Sequence, residues 1–182
     1  MPASPVVIVL AAGRGERFAA SGGATHKLQA LLANKRVIDH VLDAVKASGL
    51  PYHVVTADPA RPGMGDSIAA GVRATPSAHG WLILPADLPL IRSDTLRQIA
   101  MAPPSRATVP VAQGQRGHPV RFAPDCMQAL VDLQGNQGAA SLLRSLVATD
   151  SIAFVNVDDI GCITDIDTVA DLLAAEALLK KA

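Results

Sequence analysis

Three basic residues and a cluster of glycines follow the first apolar run of the chain. The segment Leu10-Ala-Ala-Gly-Arg-Gly-Glu-Arg-Phe18 leads on to Lys27. Ala11, Ala12 and Gly13 are small enough for a ligand to lie on the backbone. Gly13 and Gly15 permit the dihedrals of a tight anion-binding turn. Arg14, Arg17 and Lys27 supply positive charge: arginine grips phosphate with a two-pronged fork, and lysine acts as a point charge. The bland alternative is a flexible strand-to-helix turn with solvated arginines. A carboxylate, Asp87, follows a second apolar run in Leu82-Ile-Leu-Pro-Ala-Asp-Leu-Pro89, which sets it at the rim of a sheet. The chemistry on offer is therefore the handling of a multiply charged anion.

Two well-known phosphate loops do not fit. The dinucleotide pattern GxGxxG needs a third glycine where Phe18 stands. Its ribose-binding acid is expected about 20 residues on, and Asp58 lies well beyond that. A Walker loop is absent, because Lys27 stands between His26 and Leu28. Composition narrows the field further. Sixteen basic and sixteen acidic residues give a formal charge of zero, so no global field favours nucleic acid, and an anion site must be local. Aromatics make up 3%, too few for base-stacking platforms. Cys126 and Cys162 have no metal-ligand spacing, and two free thiols suit a reducing cytoplasm. The N-terminal Met-Pro-Ala-Ser-Pro, with a short apolar run after it, is read as neither signal peptide nor membrane span.

The elements that must position these residues alternate. Val6–Leu10, His53–Thr56 and Trp81–Leu84 read as buried strands. Helices are expected over Lys35–Ser48, Asp66–Ala74 and Ser93–Met101, with Ser93 as the cap of the last. Ala107–Val111 and Pro119–Phe122 are shorter, more polar strand candidates around a Gly-rich turn. Helices over Asp125–Leu133 and Gly138–Val147 and a strand over Ile152–Val157 follow. A final helix starts near Thr168, where Thr168 and Asp171 have capping-box spacing. With 182 residues, 49% of them apolar, one domain over 1–182 is expected, built from right-handed βαβ units. Ligands of such sheets bind beyond the carboxyl ends of the strands, here after Leu10, Thr56 and Leu84.

The segment Leu10–Phe18 with its later Lys-Leu resembles the LAAGxGxRxG…K signature of nucleotidyltransferases, and within these the MobA-like NTP transferases, above all the molybdenum cofactor cytidylyltransferases. The resemblance implies an α/β three-layer sandwich with a mostly parallel, Rossmann-like sheet of nucleotide-diphospho-sugar transferase topology. It implies that Leu10, Ala11, Ala12, Gly13, Arg14 and Gly15 wrap an NTP, and that Arg17 and Lys27 neutralise its phosphates. Pro62-Gly-Met-Gly-Asp-Ser67 resembles GMSxS, placing Gly63, Met64 and Ser67 beside the base; capping of a helix by Asp66 or Ser67 is the plain alternative. Pro85-Ala-Asp87 resembles the ADxP element whose Asp holds Mg²⁺, a cation that one or two carboxylates suffice to bind. Arg116-Gly-His-Pro-Val-Arg-Phe122 matches RGHPVxF, which turns His118 toward the acceptor. Asp165-Ile-Asp-Thr resembles DIDT, making Asp165 the first and Asp167 the second choice for a further metal ligand, with Asp167 and Thr168 suited to the helix cap. Gly135-Asn-Gln-Gly departs from GDxGAR: Asn136, placed by the resemblance on the acceptor side, replaces Asp, and Ala140 replaces Arg.

The implied reaction is transfer of NMP, with CTP as favoured donor, to a phosphate-bearing small-molecule acceptor of the molybdopterin type, with release of pyrophosphate. The implied setting is the cytoplasm, without nucleic acid or membrane, with transient contact to a molybdoenzyme or its chaperone. GTP-dependent, sugar-phosphate or isoprenoid-precursor transfer stays open, as does a non-catalytic nucleotide- or cofactor-binding chaperone.

Overall fold

The computed structural model describes residues 4–181, so the reading of the extreme N-terminus falls partly outside the described residues. Val6–Ala11 is β1 and the short helix Glu16–Ala20 is α1. Leu31–Leu32 (β2) and Lys35–Arg36 (β3) form a small antiparallel ladder ahead of α2, Val37–Ser48. Then come β4 (Tyr52–Thr56), α3 (Met64–Ala74), β5 (Trp81–Pro85) and α4 (Ser93–Ala100). The second half holds β6 (Ala107–Ala112), β7 (Gln115–Arg116), β8 (Val120–Phe122), α5 (Met127–Val131), α6 (Ala140–Ala148), β9 (Ile152–Asn156) and α7 (Val169–Leu179).

One mixed sheet runs β4-β1-β5-β8-β6, with β9 on the other side of β6 and β7 folded back on the end of β6. Strands β1, β4 and β5 are parallel, as are β6 and β9; β8 alone separates the two groups and runs against both neighbours. Alternation along the central strands splits the core in two. Val7, Val9, Leu82 and Leu84 face α2, α4 and α7, while Ile8, Trp81 and Ile83 face α3, α5 and α6. The result is the expected three-layer α/β sandwich with a mostly parallel sheet.

Three local readings are corrected. The α2 helix starts at Val37, because Lys35 and Arg36 are taken up in pairing with Leu31 and Leu32. Ser93 is the first residue of α4 rather than its cap. The helix end is instead held by Asp159, whose carboxylate accepts the Arg92 N–H at 3.0 Å and the Thr95 hydroxyl at 2.6 Å. β6 is almost entirely buried rather than polar, since it lies between β8 and β9 under the α3 side of the core. The capping box of α7 is present as expected: Thr168 accepts from the Asp171 N–H, and the Asp171 carboxylate accepts from the Thr168 N–H. No described helix is long and apolar enough to cross a membrane.

Asp159 is 4% exposed, and its other oxygen accepts the Gly161 N–H at 2.9 Å. Removing it leaves three donors without a partner. Asp159→Ala should therefore lower the unfolding free energy by about 2–4 kcal/mol in urea titration, with an unchanged m-value. A loss below about 0.5 kcal/mol would show that the α4 end does not depend on this carboxylate.

Candidate active site

A cleft of about 800 Å³ opens at the carboxyl ends of β1 and β5. Its walls come from six segments distant in sequence, of which Asn136 is one. Leu10, Ala12, Gly13, Arg14, Gly15, Arg17 and Lys27 form one, and Met64 and Ser67 form another. Asp87 sits at the mouth of β5, and Gly117 and His118 face it with Asp165 and Asp167. Ala11 and Gly63 do not line the cleft. The side chain of Ala11 packs against the core on the side of α2, α4 and α7, because neighbours along a strand point to opposite faces. Gly63 is buried against the backbone of Gly135, where even a Cβ would lie 2.4 Å from the Gly135 carbonyl.

The glycine loop is shaped by a histidine. His26 accepts the Leu28 N–H through Nδ1, at 3.3 Å, and donates through Nε2 to the Gly13 carbonyl at 2.7 Å. Gly15, at φ +67°, has the His26 ring against it. His26 gave no signal in sequence because its partners are backbone atoms. Beyond it, Phe18 is buried in the core and Ser21 accepts the Val169 N–H at 2.9 Å, which ties the loop to the start of α7.

The centre of the site is an ion-pair chain. The Lys27 ammonium lies 2.6 Å from Asp87 Oδ2 and 2.9 Å from Asp167 Oδ1, and the Arg17 guanidinium is 2.7 Å from Asp167 Oδ2. Burial works against the charged lysine, but the two carboxylates outweigh it and hold its pKa above the ordinary value. The Asp167 carboxylate is thus occupied by the two cations and takes no part in capping α7, although the Asp167 N–H joins that of Thr168 on the Asp171 carboxylate at 3.1 Å. Asp165 has neither cation. Burial raises its pKa, and the charges of Asp167 and Asp87 push it further the same way. Three carboxyl groups therefore meet two cations.

The same arrangement suits a divalent cation. Asp87 Oδ1 is buried with no hydrogen-bond partner, a free hard-oxygen ligand at the rim of the cleft. No group of three or more His, Cys, Asp or Glu forms a ready-made metal cage among the described residues. That fits an ion held by one or two carboxylates and completed by the oxygens of a substrate.

The Arg116–Phe122 segment is fixed by close backbone approach. His118 N–H donates to the Cys162 carbonyl at 2.9 Å, and Gly117 lies so close that a Cβ would sit 2.4 Å from that oxygen. Burial lowers the His118 pKa, only partly opposed by Asp87, so the imidazole is neutral near pH 7. Cys162 also lines the cleft, but burial and Asp159 push its thiol up to about 11, which excludes a thiolate nucleophile at neutral pH.

Asn136 lines the cleft from the turn Gly135–Gln137. Asp66 accepts the N–H of Gly63 at 3.2 Å and of Gly135 at 3.1 Å, joining the start of α3 to the Gly135–Gln137 turn. Gly63 is the N-cap of α3 and Asp66, in its first turn, holds the Gly63 N–H, while Ser67 donates to the Gly63 carbonyl at 3.1 Å and lines the cleft wall. Asn136 thus stands beside Met64 and Ser67 rather than apart from them.

Because Lys27 holds two carboxylates together, Lys27→Met should cost roughly 1–3 kcal/mol of stability, less than a fully buried pair because the site opens to solvent. Millimolar Mg²⁺ or Mn²⁺ should raise the melting temperature of Lys27→Met more than that of the wild type. Equal metal-induced shifts in the two proteins would contradict the charge count.

Comparison with known proteins identifies the family and the fold. The MobA-like NTP transferase domain matches residues 7–151. The chain is similar to the purine catabolism protein PucB of Bacillus subtilis (strain 168), at 30% identity over 149 residues, 72% of either chain. It shares its fold with a nucleotidyl transferase from Methanothermobacter thermautotroptrophicus, at a TM-score of 0.82 and 22% identity over 98% of this chain and 99% of that one. It likewise shares it with Rv0371c of Mycobacterium tuberculosis H37Rv in complex with manganese, at a TM-score of 0.69 and 20% identity over 98% and 100% of the two chains. With the cationic glycine loop, the carboxylate at the exit of β5 and this extended match, the chain belongs to the MobA-like NTP transferase family.

Proposed function

We propose that the protein transfers a nucleoside monophosphate, CMP from CTP, to a terminal phosphate of a molybdopterin-type acceptor, with release of pyrophosphate. The observation that carries this reading is the convergence of Arg17 and Lys27 on Asp87 and Asp167 at the strand exits, with Asp165 beside them as a third carboxyl group without a cation. A bound Mg²⁺, held by Asp87 with Asp165, would polarise the triphosphate and offset charge on the leaving group.

The chain's own residues do the rest. The Gly13–Gly15 turn offers backbone N–H groups, and Arg14, Arg17 and Lys27 face the triphosphate from the same loop. When phosphates enter, Lys27 and Arg17 exchange carboxylate partners for phosphate oxygens. An acceptor phosphate oxygen attacks the α-phosphorus as the bond to the bridging oxygen of the β-phosphate breaks, and pyrophosphate carries the electron pair away. The attacking phosphate is already ionised at neutral pH, so no general base is needed; positioning and charge compensation supply the catalysis. The neutral His118 is suited to donate a hydrogen bond to the acceptor phosphate without adding a charge. Met64, Ser67 and Asn136 form the wall for the nucleobase, where the Asn136 amide offers both a donor and an acceptor.

Pyrophosphate release with each of the four NTPs, with and without molybdopterin-type acceptor, tests the proposal. Release should require the acceptor and be fastest with CTP. Asp87→Ala should reduce it by about a thousandfold or more while leaving the melting transition cooperative. Release with no NTP under any condition would favour a nucleotide- or cofactor-binding protein without catalysis, and wild-type turnover in Asp87→Ala would remove Asp87 from the metal site.

A further inference from the structure

A second, smaller cavity of about 330 Å³ adjoins the cleft, lined by Arg116, Ala140, Leu143, Arg144 and Val147. Arg116 lines both spaces, so the cavity is an annex of the cleft rather than a separate pit. The Arg116 guanidinium is stacked on the Phe154 ring at 4.7 Å from its centroid, which orients the cation without neutralising it. Arg144 lies on α6 one turn beyond Ala140, so both face the same space; the small Ala140 leaves room and Arg144 supplies the charge. Among the described residues, neither Arg116 nor Arg144 makes an ion pair. The remaining lining, Leu143 and Val147, is apolar, and Val147 and the Phe154 ring under Arg116 are each more than 40% exposed.

We propose that this annex binds a second anionic group of the acceptor, carried on a flat or apolar body that lies between Arg116 and the α6 face. Two unpaired guanidinium groups beside an aromatic ring suit a carboxylate or phosphate attached to such a body. Arg116 stands two residues from His118, and two residues of extended chain span about 7 Å. An acceptor held at its reacting phosphate near His118 therefore reaches the annex across a single ring. This inference rests on the proposed function, since it assigns the far end of the acceptor to the same cleft.

The test compares the binding of phenyl phosphate with that of 4-carboxyphenyl phosphate in the presence of CTP and Mg²⁺, by calorimetry, in the wild type and in Arg144→Gln. The Arg144 side chain is exposed on α6, so its replacement leaves the core intact. The wild type should bind the carboxylated probe about tenfold more tightly, the size of one charge-assisted contact. Arg144→Gln should erase that preference while leaving the affinity for phenyl phosphate and for CTP unchanged, and Arg144→Lys should restore part of it. An equal preference in wild type and Arg144→Gln, or no preference in the wild type, overturns the annex alone. Failure of the wild type to bind both CTP and phenyl phosphate overturns the proposed function with it.

Discussion

The Lys27 ammonium is the point on which the site depends. It touches Asp87 at the exit of β5 and Asp167 just before α7, and so fastens the first loop to the middle and the end of the chain. Parallel to it, the Ile166 N–H donates to the Asp87 carbonyl at 2.9 Å, and Ser21 accepts from the Val169 N–H. These bonds bring three separate segments within reach of one triphosphate. A lysine held between carboxylates is also an exchangeable counter-ion, because phosphates can take over the ammonium while a divalent cation takes over the carboxylates.

The sheet explains why such a chain can form. Parallel strands β1 and β5 end at the same edge, so Gly13 and Asp87 emerge side by side although more than seventy residues separate them. The antiparallel β8 then returns the chain and brings the Gly117-His118 turn to that edge from the opposite direction. Close backbone packing completes the walls. Gly63 meets Gly135, Gly65 meets Gln134 and Gly117 meets Cys162, each at a distance that excludes a side chain. These glycines act through absent volume, whereas Gly15 is needed for its positive φ.

Much of this was legible in the sequence, for definite reasons. The β-branched runs marked β1 and β5, and the residues directly after them mark the strand exits, so Arg17, Lys27 and Asp87 could be singled out before any geometry was known. Partners far apart in sequence were not legible. Asp167 follows Lys27 by 140 residues, and nothing local distinguishes it from Asp165 or from a capping residue. Asp159 holding α4 and Asp66 holding the Gly135 turn are hidden for the same reason. The polar look of β6 misled because Thr108 and Pro110 stand in it, yet a strand between two neighbours is buried whatever its polar content, and the Thr108 hydroxyl has no partner. The resemblance alone places Asn136 on the acceptor side, and the bond from the Gly135 N–H to Asp66 that ties its turn to the start of α3 joins residues too far apart for the sequence to display.

The exchange of partners at Lys27 is most directly tested by a crystal structure with Mg²⁺ and a CTP analogue whose α,β-bridging oxygen is replaced by methylene. Lys27 Nζ is expected on a phosphate oxygen, with the metal on Asp87 Oδ1 and Arg17 turned from Asp167 to the triphosphate. A triphosphate bound elsewhere, with Lys27 still bridging Asp87 and Asp167, would contradict it.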